Sequence, residues 1–310
     1  MKYFIAGGAG FIGSEMAHKL WNEGHEIIIY DNLSSGNIKL VEDLIHKKRF
    51  YFYKADIKDL KTLTECMQGC DAILHFASNA DIAKAISDPT IDFYEGTLLT
   101  QNILEAMRIN GIKKIIYASG SGVYGDHKDK WMDEDTSPML PVSPYGASKL
   151  AGEALISAYC HMFDMEGFIF RFANVIGKNS THGIILDVIN KLKNNSKDLE
   201  LLGNGAQSKS YVYIDDIIDG ILEAIQWDGN YYNIATLDYI TVKQIADIIC
   251  EEMDLKNVKY HFTSTENKGW KGDIGICRLD STKLRNLGWE NKYTTEQAVR
   301  KSIREMLGKE

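Results

Sequence analysis

KYFIAGGAGFIGSEMAHKL, residues 2–20, decides the fold. The aromatic and β-branched run KYFIA (2–6) reads as a strand, and it feeds into Gly7, Gly10 and Gly13, after which an amphipathic helical pattern begins. Glycines at this spacing permit a tight turn and let backbone N–H groups approach a pyrophosphate. They also let the helix pack closely on the strand, with its N-terminus favouring negative charge. About twenty residues further on, the second strand, HEIIIY (25–30), ends at Asp31, where a carboxylate accepts hydrogen bonds from ribose hydroxyls and repels a 2′-phosphate. Together these signals point to NAD rather than NADP.

The pattern continues outward. FYFYKA (50–55), DAILHFA (71–77), IKKIIYAS (112–119) and GFIFRFA (167–173) read as further strands, separated by helical patterns. Few of their positions are polar, as expected when helices cover both faces of a parallel sheet. The fold class is therefore α/β, a doubly wound parallel Rossmann sheet with a second, smaller α/β substrate lobe. Beyond residue 173 the rhythm changes to a helix at 183–194, the loop LLGNGAQSKS, a strand at 211–214, a helix at 215–227, a strand at 231–235, and helices at 242–253 and 294–307. Residues 1–173 are expected to form the NAD-binding domain, with chain returning around 210–235, and residues 174–310 mainly the substrate lobe.

Composition narrows the function classes. A chain of 310 residues is long enough for one large or two modest domains. Its 35 Lys and Arg against 43 Asp and Glu give a net charge of −8 with no long basic tract, which argues against a main role on nucleic acid or an anionic membrane. Cysteines at 66, 70, 160, 250 and 277 make no CxxC pair and fit reduced thiols in the cytoplasm. No run reaches the roughly 18 apolar residues of a bilayer span. The glycine-rich start reads as a turn rather than a signal peptide.

SPYGASKLAGEAL (143–155) places Tyr145 and Lys149 four residues apart near a helix start, hence on one face. A free phenol is a poor base at neutral pH, but an adjacent ammonium favours the phenolate. The pair is a candidate for deprotonating an alcohol.

With the glycine loop and this pair, DNLSSG (31–36), ADI (55–57), HFAS (75–78) and YASGSGVYGD (117–126) occur in one order. The chain thereby resembles the extended short-chain dehydrogenase/reductase superfamily of NAD-dependent nucleotide-sugar epimerases and dehydratases, over nearly its whole length. SPYGASKLAGEALISAYCHMFDM with RFANVIG and STHG looks most like the archaeal-type UDP-glucose 4-epimerases. The resemblance implies that Gly7, Gly10, Phe11 and Ile12 line the pyrophosphate, and that Asp31, Asn32, Ser35 and Gly36 meet the adenosine ribose. It puts Asp56 and Ile57 at the adenine, and Phe76, Ala77, Ser78 and Phe172 along the rest of the cofactor. Lys149 would hold the nicotinamide ribose and lower the pKa of Tyr145. Asn174, His182, Gln207, Lys209 and Asp273 would contact a nucleotide-diphosphate sugar. The implied reaction is transient oxidation of a sugar carbinol, with Tyr145 taking the proton and the hydride returning to the other face.

The chain departs from the pattern at three positions. Relatives place Ser or Thr three residues before VYG, where this chain has Gly120; Ser119 and Ser121 flank it and are the candidate substitutes, Ser121 also as a substrate contact. Gly96 stands where relatives often have asparagine, and Trp270, beside Lys271, where many have arginine. The strip before VYG is Ser121-Gly122, without the Asp–Glu pair of the family's 4,6-dehydratases or the Glu of its decarboxylases. Epimerisation is thus the leading expectation. The alternatives are a 5,6-dehydration forming an exo-glycal, net sugar oxidation, or an NAD-binding protein without catalysis.

Other residues have plainer readings. Eight histidines form no metal-binding spacing, so no metal is expected. His75 reads as a packed core residue, and Asp215-Asp216 as a helix N-terminus. Leu99, Ile103 and Met107 form an apolar stripe that, with helix 146–162, fits the homodimer interface the resemblance implies.

Overall fold

The computed structural model describes residues 1–79 and 81–309. The first strand is Lys2–Ala6, as the sequence predicts, and four of its five residues are buried. It pairs in parallel with Glu26–Asp31 on one side and Ala72–His75 on the other. Phe50–Lys54 extends the first side and Lys114–Gly120 the second, again in parallel. The complete seven-stranded sheet runs in the order Tyr231–Ile234, Glu166–Phe172, Lys114–Gly120, Ala72–His75, Lys2–Ala6, Glu26–Asp31, Phe50–Lys54. Strand order reverses between Lys2–Ala6 and Ala72–His75, the switch point at which doubly wound sheets open a crevice beyond the strands' carboxyl ends.

The chain divides into two compact units. The first comprises Met1–Val123, Pro144–Arg171 and Ile221–Tyr232, and the second Tyr124–Ser143, Phe172–Gly220 and Asn233–Glu310. Segment 124–143, placed by the sequence reading with the sheet, belongs to the second unit. The chain returns to the first over 221–232 rather than 210–235. Inside the second unit Leu140 N–H donates to the Tyr124 carbonyl (3.3 Å), and the Tyr124 hydroxyl donates to buried Asn233 (2.8 Å). These pairings tie the excursion to its own unit, and neither partner announces itself in the sequence.

The core of the first unit gathers Phe4, Ile28, Ile73, Ile115 and Ile169 from the sheet with Leu99, Ile103, Met107 and Ile156 from the helices. Leu99, Ile103 and Met107 are at most 5 % exposed, so the apolar stripe expected at a subunit interface is instead spent inside one chain. Its residues lie on the face of helix Leu98–Asn110 that packs on the sheet, where burial is worth roughly 1.5–3 kcal/mol per large aliphatic side chain.

In the second unit, Asn174–Ile176 pairs in parallel with Tyr211–Tyr213, and Ser208–Lys209 pairs antiparallel with Ile240–Thr241. Helix Ile214–Ala224 begins with Asp215 and Asp216 in its first turn. Asp216 accepts the Lys292 backbone N–H (3.0 Å), so one of the two acids anchors a distant loop. Helices Val242–Glu252 and Thr295–Leu307 each open with a capping box, Thr241 with Gln244 and Thr294 with Gln297.

Candidate active site

The turn after the first strand explains the glycine spacing. Gly7 has φ +77°, and a Cβ there would lie 2.7 Å from the Ala77 nitrogen, so the loops after the first and fourth strands touch at the switch point. A Cβ on Gly13 would lie 2.3 Å from the Gly7 carbonyl oxygen, so the helix starting at Phe11 can approach the turn only because position 13 is glycine. Gly10 caps that helix without a side-chain acceptor, leaving the N-terminal amides to another partner.

Asp31 is 8 % exposed. Its Oδ2 accepts the Ala9 N–H (3.0 Å) and its Oδ1 the Leu33 N–H (2.8 Å). Burial pushes its carboxyl up, and these two amides oppose the shift. A Cβ on Gly36 would sit 2.7 Å from Asp31 Oδ1, so the loop closes tightly on the carboxylate. Asn32 Nδ2 donates to Asp56 Oδ2 (3.1 Å), which joins the residues expected at the ribose to one expected at the adenine. Neighbouring Ile57 is buried, its carbonyl taking a bond from Asn102 (3.0 Å). Phe76 and Ala77 both donate their N–H to the Ala6 carbonyl, at 2.9 and 3.0 Å. The glycine cradle, the amide-held carboxylate and the bare helix N-terminus fit an adenine dinucleotide with a free 2′-hydroxyl.

Tyr145 and Lys149 lie in helix Pro144–Phe163, which starts at proline, the residue best suited to a first helical position. Lys149 and Glu153, four residues apart, are on its buried face, 4 % and 2 % exposed. The Lys149 ammonium donates to the Ala118 carbonyl (2.7 Å) and lies 5.6 Å from the centre of the Tyr145 ring. Burial lowers Lys149 to about 8, with Asp92 and Glu153 pulling it back up. Burial, reinforced by the negative charge of Asp92, pushes Tyr145 up to about 12, and a hydrogen bond with Ser78 opposes this. In the chain by itself burial therefore sets the Tyr145 phenol above its ordinary value, whereas the lysine next to it was expected to bring it below.

The two serines flanking Gly120 differ. Ser119 is 4 % exposed and donates to Glu153 Oε1 (2.6 Å), while Arg171, 2 % exposed, grips the same carboxylate at 2.7 Å. Its hydroxyl is committed to a buried ion pair. Ser121 is partly exposed, and a Cβ at Gly120 would have nothing within 4 Å. Glu153 and Arg171 escaped the sequence reading. The signal was the i, i+4, i+8 series Tyr145, Lys149, Glu153, which puts a carboxylate on the same helical face.

In the second unit Gln207, Lys209 and Asp273 are brought together around Gly269. Lys209 donates to Asp273 Oδ1 (2.8 Å), Gly269 N–H donates to Asp273 Oδ2 (2.9 Å), and a Cβ on Gly269 would lie 3.9 Å from Gln207 Nε2. Gln207 is 5 % exposed, donates to the Leu202 carbonyl (2.7 Å), and has no partner for its Oε1 among the described residues. Asn174 sits opposite Tyr211 in the neighbouring strand pair. Phe172 is 6 % exposed, and His182 lies on the surface beside Thr181. His75 is the packed residue expected: wholly buried, held at Nε2 by Thr100 Oγ1 (3.1 Å), and kept neutral by burial, which lowers it to about 3.

The model of the NAD dependent epimerase/dehydratase family matches residues 3–235. A Mycolicibacterium smegmatis UDP-glucose 4-epimerase is 28 % identical over 313 residues, covering 98 % of this chain and 97 % of its own. A crystal structure of a UDP-galactose 4-epimerase superposes with a TM-score of 0.87 at 33 % identity, covering 100 % of this chain and 99 % of that one. The Thermotoga maritima UDP-glucose 4-epimerase, solved with UDP-glucose, gives 0.89 at 28 % identity, with 100 % and 99 % covered. Glycine cradle, amide-held carboxylate and tyrosine–lysine helix thus stand in a chain that aligns end to end with these proteins: it belongs to the NAD dependent epimerase/dehydratase family.

Proposed function

We propose that the protein is a nucleotide-sugar 4-epimerase working on a UDP-glucose/UDP-galactose type of substrate. The observation that carries this reading is the pairing of Tyr145 with a buried Lys149 on one helix, in the unit that holds the glycine cradle. Gly7, Gly10, Phe11 and Ile12 hold the NAD pyrophosphate; Asp31, Asn32, Ser35 and Gly36 the adenosine ribose; Asp56 and Ile57 the adenine; and Phe76, Ala77, Ser78 and Phe172 the remainder. Held there, NAD would supply a reversible hydride acceptor for the sugar carbinol.

The chain's own part is proton management. Tyr145 takes the proton of the sugar hydroxyl as the carbinol is oxidised and returns it as the ketone is reduced. Lys149, anchored by Ala118, presents a positive charge beside the ring and a donor to the nicotinamide ribose. Ser121 offers a second hydroxyl, since Ser119 is engaged with Glu153. In the second unit Asn174, Gln207, Lys209 and Asp273 bind the nucleotide diphosphate, and the bare Gln207 Oε1 is an acceptor for a base or ribose donor. His182 is retained as a surface contact to the sugar. The strip Ser121-Gly122 supplies no acid and base for 4,6-elimination, which favours epimerisation over dehydration.

A homodimer and a cytoplasmic location are part of the proposal, supported by the resemblance; among the described residues no helix is long and apolar enough to cross a membrane. The test is incubation with UDP-, dTDP-, GDP- and CDP-sugars, with products read by mass spectrometry and NMR. An isobaric C4 epimer, lost in Tyr145→Phe with the fold intact, is expected; a product lighter by one water, or NADH that accumulates, contradicts the reading.

A further inference from the structure

Four residues before Gly96 stands a carboxylate to which the proposed chemistry gives no task. Asp92 is 2 % exposed. Its Oδ1 accepts a hydrogen bond from Asn79 Nδ2 (2.9 Å), and its Oδ2, shielded from solvent, has no hydrogen-bond partner among the described residues. An ionised carboxylate has about four acceptor positions, and a buried acceptor left bare costs about 1–3 kcal/mol, more when charged. Such a group calls for an explanation, and a ligand's donor is one.

Its surroundings give it an address. Asn79 also donates its N–H to the Glu95 carbonyl (3.0 Å), and the preceding residue, Ser78, is hydrogen-bonded to Tyr145. On the other side of the same turn, Thr97 Oγ1 donates to Ser148 Oγ (3.1 Å), and a Cβ on Gly96 would lie 2.2 Å from that oxygen. The turn therefore lies directly against the helix position next to Lys149. Residues Phe93–Thr97 form a wide π-type turn with Glu95 outside helical geometry, a local irregularity frequent at functional sites. Asp92 is thus linked to Tyr145 through Asn79 and Ser78, and to the flank of Lys149 through Gly96 and Ser148. Burial pushes its carboxyl up, the Asn79 hydrogen bond and the Lys149 charge favour the ionised form, and Asp81 and Asp88 oppose it.

We propose that Asp92 is a ligand-binding acceptor at the reacting end of the site, its free Oδ2 taking a hydrogen bond from an O–H or N–H group of the bound cofactor or sugar. The inference rests on the NAD and nucleotide-sugar reading above. It adds a residue which the motifs do not mark.

Asp92→Asn preserves the volume, and Asp92→Leu keeps the branching with the same number of heavy atoms in a somewhat larger side chain. The amide keeps a carbonyl oxygen for Asn79 and turns a donor toward the ligand, whereas leucine removes both acceptors. NAD affinity by calorimetry, kcat and KM for the nucleotide sugar on the NAD-loaded chain, and thermal unfolding are measured for each. If the donor belongs to the cofactor, the NAD dissociation constant rises about tenfold or more, equivalent to about 1.4 kcal/mol, with sugar KM unchanged; if it belongs to the sugar, the pattern reverses. Binding constants within twofold of the parent overturn the proposal, whether the variants melt higher, as relief of an unmet burial cost predicts, or lower. Failure of both variants to fold makes Asp92 structural and overturns it too. A parent chain that takes up neither NAD nor any sugar nucleotide defeats the underlying reading instead.

Discussion

The ammonium of Lys149 is held by the Ala118 carbonyl at 2.7 Å and lies 5.6 Å from the centre of the Tyr145 ring. It is thus anchored to the end of the fifth strand, lending the phenol its charge from the side. Its burial sets a sign. The folded chain binds the Lys149 proton less tightly, at about 8 against 10.5 for a free lysine, so the buried charge weakens the fold below pH 8. That penalty fades as pH rises through the window from about 8 to 10.5. Lys149→Met is expected to lower turnover by about 100-fold or more without lowering the melting temperature at pH 7. Parallel assays of turnover and thermal unfolding check this; a variant melting several degrees lower would show that the lysine is there for the fold.

The Glu153–Arg171 pair predicts the opposite balance. Both side chains are 2 % exposed, and the carboxylate also holds Ser119. Glu153→Ala removes the carboxylate that neutralises a buried guanidinium, which costs about 3–5 kcal/mol. Urea denaturation should show a loss of that size; a loss under 1 kcal/mol would mean the pair contributes little.

His75 makes an acid-sensitive contribution. Its folded value of about 3 lies below the free value of 6.5, so the unfolded chain takes up a proton that the folded chain refuses. Stability is lost as pH falls from about 6.5 toward 3, with a slope of up to about 1.4 kcal/mol per pH unit from this residue. In His75→Leu the urea midpoint between pH 6.5 and 4 should fall less steeply, by about one proton; an unchanged slope contradicts the assignment.

Gly120 leaves room beside the reacting groups, with nothing within 4 Å of an added Cβ. Gly120→Ser should fold normally and, by adding a hydroxyl where the family resemblance leads one to expect it, raise turnover on UDP-glucose about tenfold, the worth of one hydrogen bond. A steady-state comparison with the parent decides it, and a fall in turnover would mean that the open space itself is used.

Much of this was legible in the sequence, for identifiable reasons. The glycine spacing was readable because Gly7 and Gly13 meet backbone atoms that only a bare Cα can approach, and the six strands predicted across 2–173 all form because parallel strands carry dense apolar runs. Short strands such as Asp198–Leu201 and Lys259–Phe262 were not legible, since they pair with each other across some sixty residues and have little apolar pattern. Leu99, Ile103 and Met107 were read as an interface because periodicity marks a buried face without naming what buries it. The rise in the phenol's pKa was invisible because spacing reveals a neighbour's charge and says nothing of desolvation. Asp92 was missed because no motif contains it; only its burial and its bare oxygen mark it.

The central claim, that a sugar carbinol gives up its hydrogen beside Tyr145 and receives the same one back, is tested most directly with UDP-glucose deuterated at C4. The account predicts UDP-galactose that retains the deuterium at C4, formed by the parent chain and slowed at least about 100-fold in Tyr145→Phe. Loss of the label to solvent, or undiminished conversion by the phenylalanine variant, would contradict it.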